Sequence, residues 1–346
     1  FPKQIDNFDK LIASLIEYDD LEQKHFEVST RERLQEIITD PLLVEMILCP
    51  IMWYGNPREK DMDWGQFCIM FRSLFLEGFA RPFDGVRLIL KKLVRKFREL
   101  GGELKLRTGV SQIKIDNGRA VGVVLDSGEE LSGNNILSSA GAVETFKLCE
   151  ANKQLHAHTT GQLSFVEAIS TLDKYPRELG HNKTIVFFND SETFHWERPM
   201  EDFCDLRTGV VCTPNNYCYD EKDGDLPEGV MRVTALADYE RWRAVGQSDY
   251  QSQKQSWFDQ VQASATRFVP DYRPHVIDTD MFTPHTIHRF TWHENGAVYG
   301  ATRKWLDGKT DINNLFLCGT DQGFVGIIGS IVSGISMANQ HLLARS

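Results

Sequence analysis

At 346 residues, 41% hydrophobic and 25% charged, the chain has the length for one large or two ordinary domains and the composition of a globular protein. Its formal net charge of −11 excludes a general nucleic-acid binder, which needs a broad basic surface. No uninterrupted apolar run reaches the ~18 residues of a membrane-spanning helix, and the opening FPKQIDNFDK lacks the basic-then-apolar pattern of a signal peptide.

Residues 1–50 read as helical. Ile5, Phe8, Leu11, Ile12, Leu15 and Ile16 recur at three- and four-residue spacing, the pattern of an amphipathic helix. Ser29-Thr30 with Glu32 forms a cap for a second helix running to Ile38. Asp40-Pro41 opens a third, which Cys49-Pro50 is expected to end. Residues 51–80 are rich in Met, Trp and Phe. Such side chains can line an apolar ligand tunnel, but at helical spacing they are first expected to be core. After a turn at residues 81–85, a helix is expected over 86–100. One face carries Val86, Ile89, Leu90, Leu93, Val94, Phe97 and Leu100, and the other carries Lys91, Lys92, Arg95, Lys96 and Arg98. Packing of the apolar face on a core is the first expectation, and contact with an anionic membrane is the alternative.

Gly101-Gly102 caps that helix. Short strands are expected over 103–106, 110–115 and 120–125, with Asn117-Gly118 as a tight hairpin turn. The strand at 135–141 ends in Ser-Ala-Gly, leaving space at its C-terminal end, where open sheets hold nucleotides. A helix follows at 143–149. From about residue 160 the texture is β-rich, with segments at 163–172, 184–188, 210–212, 230–236 and 282–290, interrupted by a helix over 257–269.

The last stretch, LFLCGTDQGFVGIIGSIVSGISMANQ (315–340), reads as a buried strand, a glycine-rich turn and a helix with one face of small residues. A helix N-terminus after such a turn offers unpaired N–H groups and a positive dipole end to an anion. The competing reading is a tightly packed C-terminal helix. The seven cysteines include no CxxC pair, so reduced structural thiols are expected. The texture runs helical, α/β, β-rich, then α/β again. It implies two interleaved domains, residues 81–150 with 290–346 and residues 1–80 with 151–289.

The run from Phe83 to Ala140, DGV…GGELKLRTGVSQIKIDNGRAVGVVLDSGEEL…ILSSA, resembles the middle of FAD-dependent phytoene desaturases, carotenoid isomerases and retinol saturases, a branch of the amine-oxidase-like flavoproteins. LFLCGTDQGFVGIIGSIVSG is similar to that family's second flavin-contacting motif, and TPHTIHRFTWHENGAVYG (283–300) to the segment before it. The resemblance implies an α/β, mixed α+β fold: a Rossmann-like FAD domain (81–150 and 290–346) interleaved with a substrate domain of β-sheet and helices. It also implies roles for particular residues. Val110 matches the strand residue that meets the adenine, and Ser139 and Ala140 match the small strand end beside the nucleotide. Gly319, Thr320 and Asp321 match the turn at the pyrophosphate and ribityl chain, with Asp321 accepting from ribityl hydroxyls. Gly326, Ile327 and Ile328 match the helix start under the flavin ring, and Tyr299 and Gly300 a turn facing the ring from the substrate side.

One departure is large: no strand–GxGxxG–helix unit is present. Phe1-Pro2 resembles a point well inside the family's chain, so a segment or partner chain bearing that motif is expected to be missing. The implied activity is flavin-dependent redox or isomerisation chemistry at C=C bonds of a long apolar polyene or isoprenoid. The runners-up are an amine oxidase, for which Trp196, Tyr217, Tyr219, Trp292, Tyr299 and Trp305 are available as aromatic walls, and a non-catalytic binding fragment. His285, His288, Arg289 and His293 are the polar side chains nearest the expected flavin-side turn, though a structural role is the first expectation for each. No metal site is expected, since HExxH and carboxylate clusters are lacking. The expected location is the cytoplasm, with peripheral membrane contact through the basic helix as an option.

Overall fold

The computed structural model describes residues 1–19, 28–149, 159–324 and 326–343. Residues 20–27 of the helical N-terminal reading and the expected domain boundary at 150/151 lie outside them. The chain begins with α1 (Ile5–Ile16), α2 (Thr30–Ile37), α3 (Pro41–Met52) and α4 (Trp64–Phe71), the last running into a π-helical turn at Arg72–Glu77. Ser29 caps α2 as its sequence demands, its hydroxyl accepting the Glu32 N–H at 3.2 Å. The same hydroxyl donates to Asp61, so Ser29→Ala is expected to cost about 1–2 kcal/mol, read as a lower urea midpoint.

α3 does not end at Cys49-Pro50 as expected: Pro50 lies inside it. The missing N–H forfeits one bond in the last turn, and the full burial of Ile51 and Met52 outweighs that loss. Residues 51–71 behave as core: Met52, Trp53, Met62, Trp64, Phe67, Met70 and Phe71 all pack in one cluster with α1–α3, whereas Phe75 and Leu76 are exposed.

A five-stranded antiparallel sheet, in the order β6-β7-β8-β5-β9, forms the centre of the β-rich region. Its strands are β5 (Ser164–Leu172), β6 (Ile185–Asn189), β7 (Thr208–Cys212), β8 (Gly229–Ala237) and β9 (Val276–Phe282). Alternation sorts its side chains between two cores. Phe165, Val210 and Leu236 join the helical cluster with Trp53 and Trp196. Val166, Val211, Met231, Val233 and Ala235 instead meet Trp257, Phe258 and Val261 of α8 (Tyr250–Ala265). That helix starts seven residues before the expected 257, and a short α7 (Tyr239–Ala244), capped by Asp238, precedes it.

The expected β-segment at 282–290 is corrected. Only Phe282 belongs to β9, and α9 (Pro284–Thr291) takes the rest. Thr283 and Thr286 form a capping box, and Pro284 occupies the first helical position, a start signal that outweighs the β-prone side chains.

The third region holds α5 (Arg87–Glu99), the antiparallel sheet β1 (Val110–Asp116), β2 (Arg119–Leu125) and β3 (Glu130–Ser132), then β4 (Ile136–Ser138) and α6 (Ala142–Leu148). Asn117 and Gly118, at φ 49° and 75°, make the hairpin turn with both central residues left-handed. The expected strand at 103–106 does not form: these residues pair with no neighbour, and Leu106 is 71% exposed. The expected core packing of α5 is not present either. None of its residues is buried, and Leu90, Leu93, Phe97 and Leu100 face outward.

Finally, β10 (Leu315–Leu317) pairs with β4 in parallel, Leu315 opposite Ile136 and Leu317 opposite Ser138, and leads into α10 (Gly326–Met337). All seven cysteines are free thiols. Among the described residues, no helix is long and apolar enough to cross a membrane.

Candidate functional site

The parallel pairing of β4 and β10 brings two strand ends together. Leu317 leads through Cys318, whose N–H donates to the Ser138 carbonyl at 2.9 Å, to Gly319. A Cβ on Gly319 would lie 3.9 Å from that of Ser139, so the ends face each other. Gly319, Gly323 and Gly326 all have positive φ, at 82°, 122° and 74°, and this lets the chain turn from strand to helix in so few residues. The Gly319 N–H donates to Ser333 Oγ at 2.7 Å, which sets the small face of α10 against the turn. The bulky face, with Ile327, Ile328 and Ile335, points outward. Nothing stands within 4 Å of a Cβ placed on Gly326, so the helix start is open.

Asp321 is the hub of this turn. Its side chain is 1% exposed and accepts the Ala142 N–H (2.7 Å, Oδ2), the Ala301 N–H (2.8 Å, Oδ1) and Lys304 Nζ (3.1 Å, Oδ1). One carboxylate thus joins the start of α6, the turn after Gly300 and the turn after β10. The open acceptor expected of Asp321 is therefore already engaged within the protein. Its neighbour Gln322, 1% exposed, donates through its amide to the Leu306 carbonyl and has no partner for Oε1.

Lys304 also donates to the Tyr299 carbonyl at 2.7 Å. Burial holds its ammonium below lysine's ordinary pKa, while Asp321 opposes that shift. The Tyr299 hydroxyl donates to the Trp53 carbonyl at 2.6 Å, and burial pushes this phenol up to about 12. Tyr299 and Val298 pack on the aromatic core, where Trp53 lies 5.0 Å from Trp196 and 5.4 Å from Phe165 between ring centroids. The Gly300 turn has no space for a side chain: φ is 64° and a Cβ would collide with Asp321 Oδ1. Gly300→Ala is expected to cost at least about 2 kcal/mol, measured as a shift in urea unfolding.

The structure therefore unites Ser139, Ala140, Tyr299, Gly300, Gly319, Thr320 and Asp321, with Gly326, Ile327 and Ile328 opening the helix that follows. Val110 stands apart at the start of β1, half-exposed and opposite Leu125. His285 and His288 turn to α7 and α8. His285 stacks on Tyr250 at 5.5 Å, His288 lies 5.6 Å from Tyr239, and burial together with His288 lowers the pKa of His285. Arg289 is exposed and lies over Phe290. None of the three touches the Asp321 turn.

Residues missed from the sequence are Lys304, Glu144, Gln322 and Ser333. Glu144 accepts the Glu294 N–H at 2.7 Å beneath Gly141, and burial pushes its carboxyl up. No local pattern marks these four, because the ties that set them at the site reach 14 to 150 positions along the chain: Gly319 for Ser333, Leu306 for Gln322, Asp321 for Lys304 and Glu294 for Glu144. The aromatic residues available to an amine-oxidase cage fall into separate groups: Trp196 and Tyr299 belong to the aromatic core, Tyr217 lies beside Tyr219, Trp292 is 72% exposed, and Trp305 packs on Phe146. A separate open groove of about 550 Å3 lies between α3, the π-helical turn and β6. It is lined by residues such as Met46, Phe75, Phe187 and Phe268 and shares none with the Asp321 turn.

A short parallel pair ends in a glycine turn beneath a helix start, beside an antiparallel sheet backed by helices. Solved structures with this fold include an oxidoreductase from Methanosarcina mazei (TM-score 0.62, 15% identity, 97% of this chain and 72% of that one) and a putrescine oxidase redesigned for cofactor binding (TM-score 0.62, 14% identity, 99% and 76%). No family profile matches the chain. By sequence it is similar to prolycopene isomerases and to a 4,4'-diaponeurosporene oxygenase. It is 27% identical over 277 residues to the prolycopene isomerase of Daucus carota, covering 76% of this chain and 44% of that protein. It is 26% identical over 328 residues to the Arabidopsis thaliana enzyme (88% and 53%), and 21% identical over 303 residues to a Staphylococcus aureus 4,4'-diaponeurosporene oxygenase (86% and 58%). The chain spans about half the length of the curated relatives it matches.

Proposed function

We propose that this chain supplies the substrate-binding part and one half of the cofactor cradle of an FAD-dependent oxidoreductase acting on C=C bonds of a carotenoid-like polyene. The carrying observation is the convergence at Asp321. Two parallel strand ends and an open α10 start lie on one side of it, and a turn resting on an aromatic core lies on the other. That core, in which Trp53 meets Phe165 and Trp196 and Phe165 meets Tyr299, suits an apolar ligand wall. The relatives named for prolycopene and diaponeurosporene favour a carotenoid over an amine, as does the dispersal of the aromatic residues.

FAD would contribute the redox chemistry, and the protein contributes position and exclusion of water. The residues fit the cofactor at the open N–H groups of α10 (Gly326, Ile327 and Ile328) and at the unused Gln322 Oε1, which can accept a hydroxyl. They leave the pyrophosphate without its usual glycine-rich helix start. The exposed apolar faces of α5 and α10 support completion by a β–GxGxxG–α segment in the same protein or a partner chain. On this reading, residues 81–150 with 290–346 are the cofactor side and the remainder the substrate side. α5 then packs on the added segment, and membrane contact is not needed to cover it.

The test is spectroscopic. The full-length gene product is expected to purify with a yellow chromophore that reductant bleaches, and to change the absorption spectrum and retention time of an added carotenoid. A colourless full-length protein that takes up no FAD would sink the enzyme reading.

A further inference from the structure

Lys304 lies between charges contributed by two distant parts of the chain. On one side it reaches Asp321 at 3.1 Å and the Tyr299 carbonyl at 2.7 Å. On the other it senses Asp63 and Arg58, themselves paired at 3.1 Å where α4 begins. Asp63 is buried, and so is Lys304, 6% exposed. A long, flexible, strongly hydrated side chain gains nothing by burial unless its charge is used. Here the ammonium fixes the orientation of the one carboxylate that holds the α6 start and the Gly300 turn together. Tyr299, whose carbonyl it grips, makes the second tie to the helical region through Trp53.

We infer that Lys304 is a positioning residue that couples the substrate-side helices to the cofactor-side turn, acting through Asp321 and the Tyr299 carbonyl. This rests on the reading above for what the turn binds, but the coupling itself is a property of this chain. The groups facing Lys304 are Asp321 from the turn after β10, and Asp63 and Arg58 from the segment before α4. Glu144 of α6 faces Asp321 in turn, and His293 faces Glu144.

Removing the ammonium leaves the Asp321 carboxylate buried with too few donors. Without that counter-charge its hold on the Ala142 and Ala301 N–H groups loosens. In the wild type the same loss occurs on titration, because burial moves Lys304 below its ordinary range.

The experiment compares full-length wild type with K304M, which keeps the length of the stem without the charge. Backbone amide exchange at Ala142 and Ala301 is expected to accelerate on the order of tenfold in K304M, while the sheet β5–β8 keeps its protection. FAD affinity, followed by quenching of free flavin fluorescence, is expected to weaken by a similar factor. In the wild type it should also decline as pH rises from 7 towards 10.5, a dependence K304M lacks. Unchanged exchange at both amides in K304M overturns the inference. Should K304M fail to fold, the wild type decides: amide protection at Ala142 and Ala301 that is flat in pH, after correction for intrinsic exchange, overturns it. A wild type that binds no FAD sinks the proposed function and leaves the exchange arm to judge Lys304.

Discussion

Supplying a β–GxGxxG–α segment, fused ahead of Phe1 or added as a second chain, is expected to convert residues 1–346 from a weak or non-binder of FAD into a stoichiometric one. The physical reason lies in the surfaces the chain leaves open. Val86, Leu90, Leu93, Phe97 and Leu100 form a stripe along α5, from 36% to 74% exposed, while the opposite face carries lysines and arginines. Helices with such a stripe are stabilised by packing it, not by their own propensity. Burying the exposed part of each side chain is worth roughly 1 kcal/mol, so docking of α5 contributes about 5 kcal/mol before ordering costs. The outward isoleucines of α10 add to this. Hydrogen exchange gives the clearest measurement. α5 amides are expected to exchange near the rate of an isolated helix in residues 1–346 alone and to become protected by two or more orders of magnitude in the completed protein. Protection of α5 in the short chain, with no added segment, would show that another surface covers it.

Asp321→Ala is expected to be the most damaging single truncation in the cofactor-side region. It strips acceptors from two N–H groups, Ala142 and Ala301, and leaves the Lys304 ammonium without its main counter-charge. Breaking one partner of a buried ion pair costs about 3–5 kcal/mol. The loss should depend on pH with a definite sign. Lys304 already has a folded-state pKa below its ordinary 10.5, and removing Asp321 lowers it further. Between the folded pKa and 10.5, the unfolded chain then binds more protons than the folded one, so the variant's stability rises with pH across that window. Below the folded pKa both states hold the proton and the full penalty is present. Adding K304M to Asp321→Ala is expected to recover part of the loss, because the unpaired charge disappears with the lysine. Urea unfolding of the two single variants and the double variant at pH 7 and pH 10 measures all of this. Additive losses would mean that the two side chains do not act as a pair.

The split between what was legible and what was not follows the reach of each interaction. The α2 cap at Ser29, the Asn117-Gly118 hairpin, the alternating strands of the β-rich region and the strand–turn–helix at 315–337 all rest on neighbours within a few positions. The errors arose where one local signal met a stronger one, near or distant in sequence. Pro50 reads as a stop, yet burial of Ile51 and Met52 carries α3 past it. The β-prone run at 282–290 yields to the Thr283-Pro284 start of α9. Residues 103–106 have strand-like composition but no partner strand.

The sequence by itself determined the alternating strands of the β-rich region, the glycine-permitted turns and the strand–turn–helix at 315–337, since each is carried by residue type and spacing. Only the tertiary structure decided the use of Asp321. From the motif it reads as an open acceptor for a cofactor. In the fold it is a buried hub that binds two backbone N–H groups and Lys304, and the unused acceptor is Gln322 beside it. A carboxylate's chemistry is set by which donors surround it, and those donors come from residues 142, 301 and 304, which no reading of the turn alone would bring together.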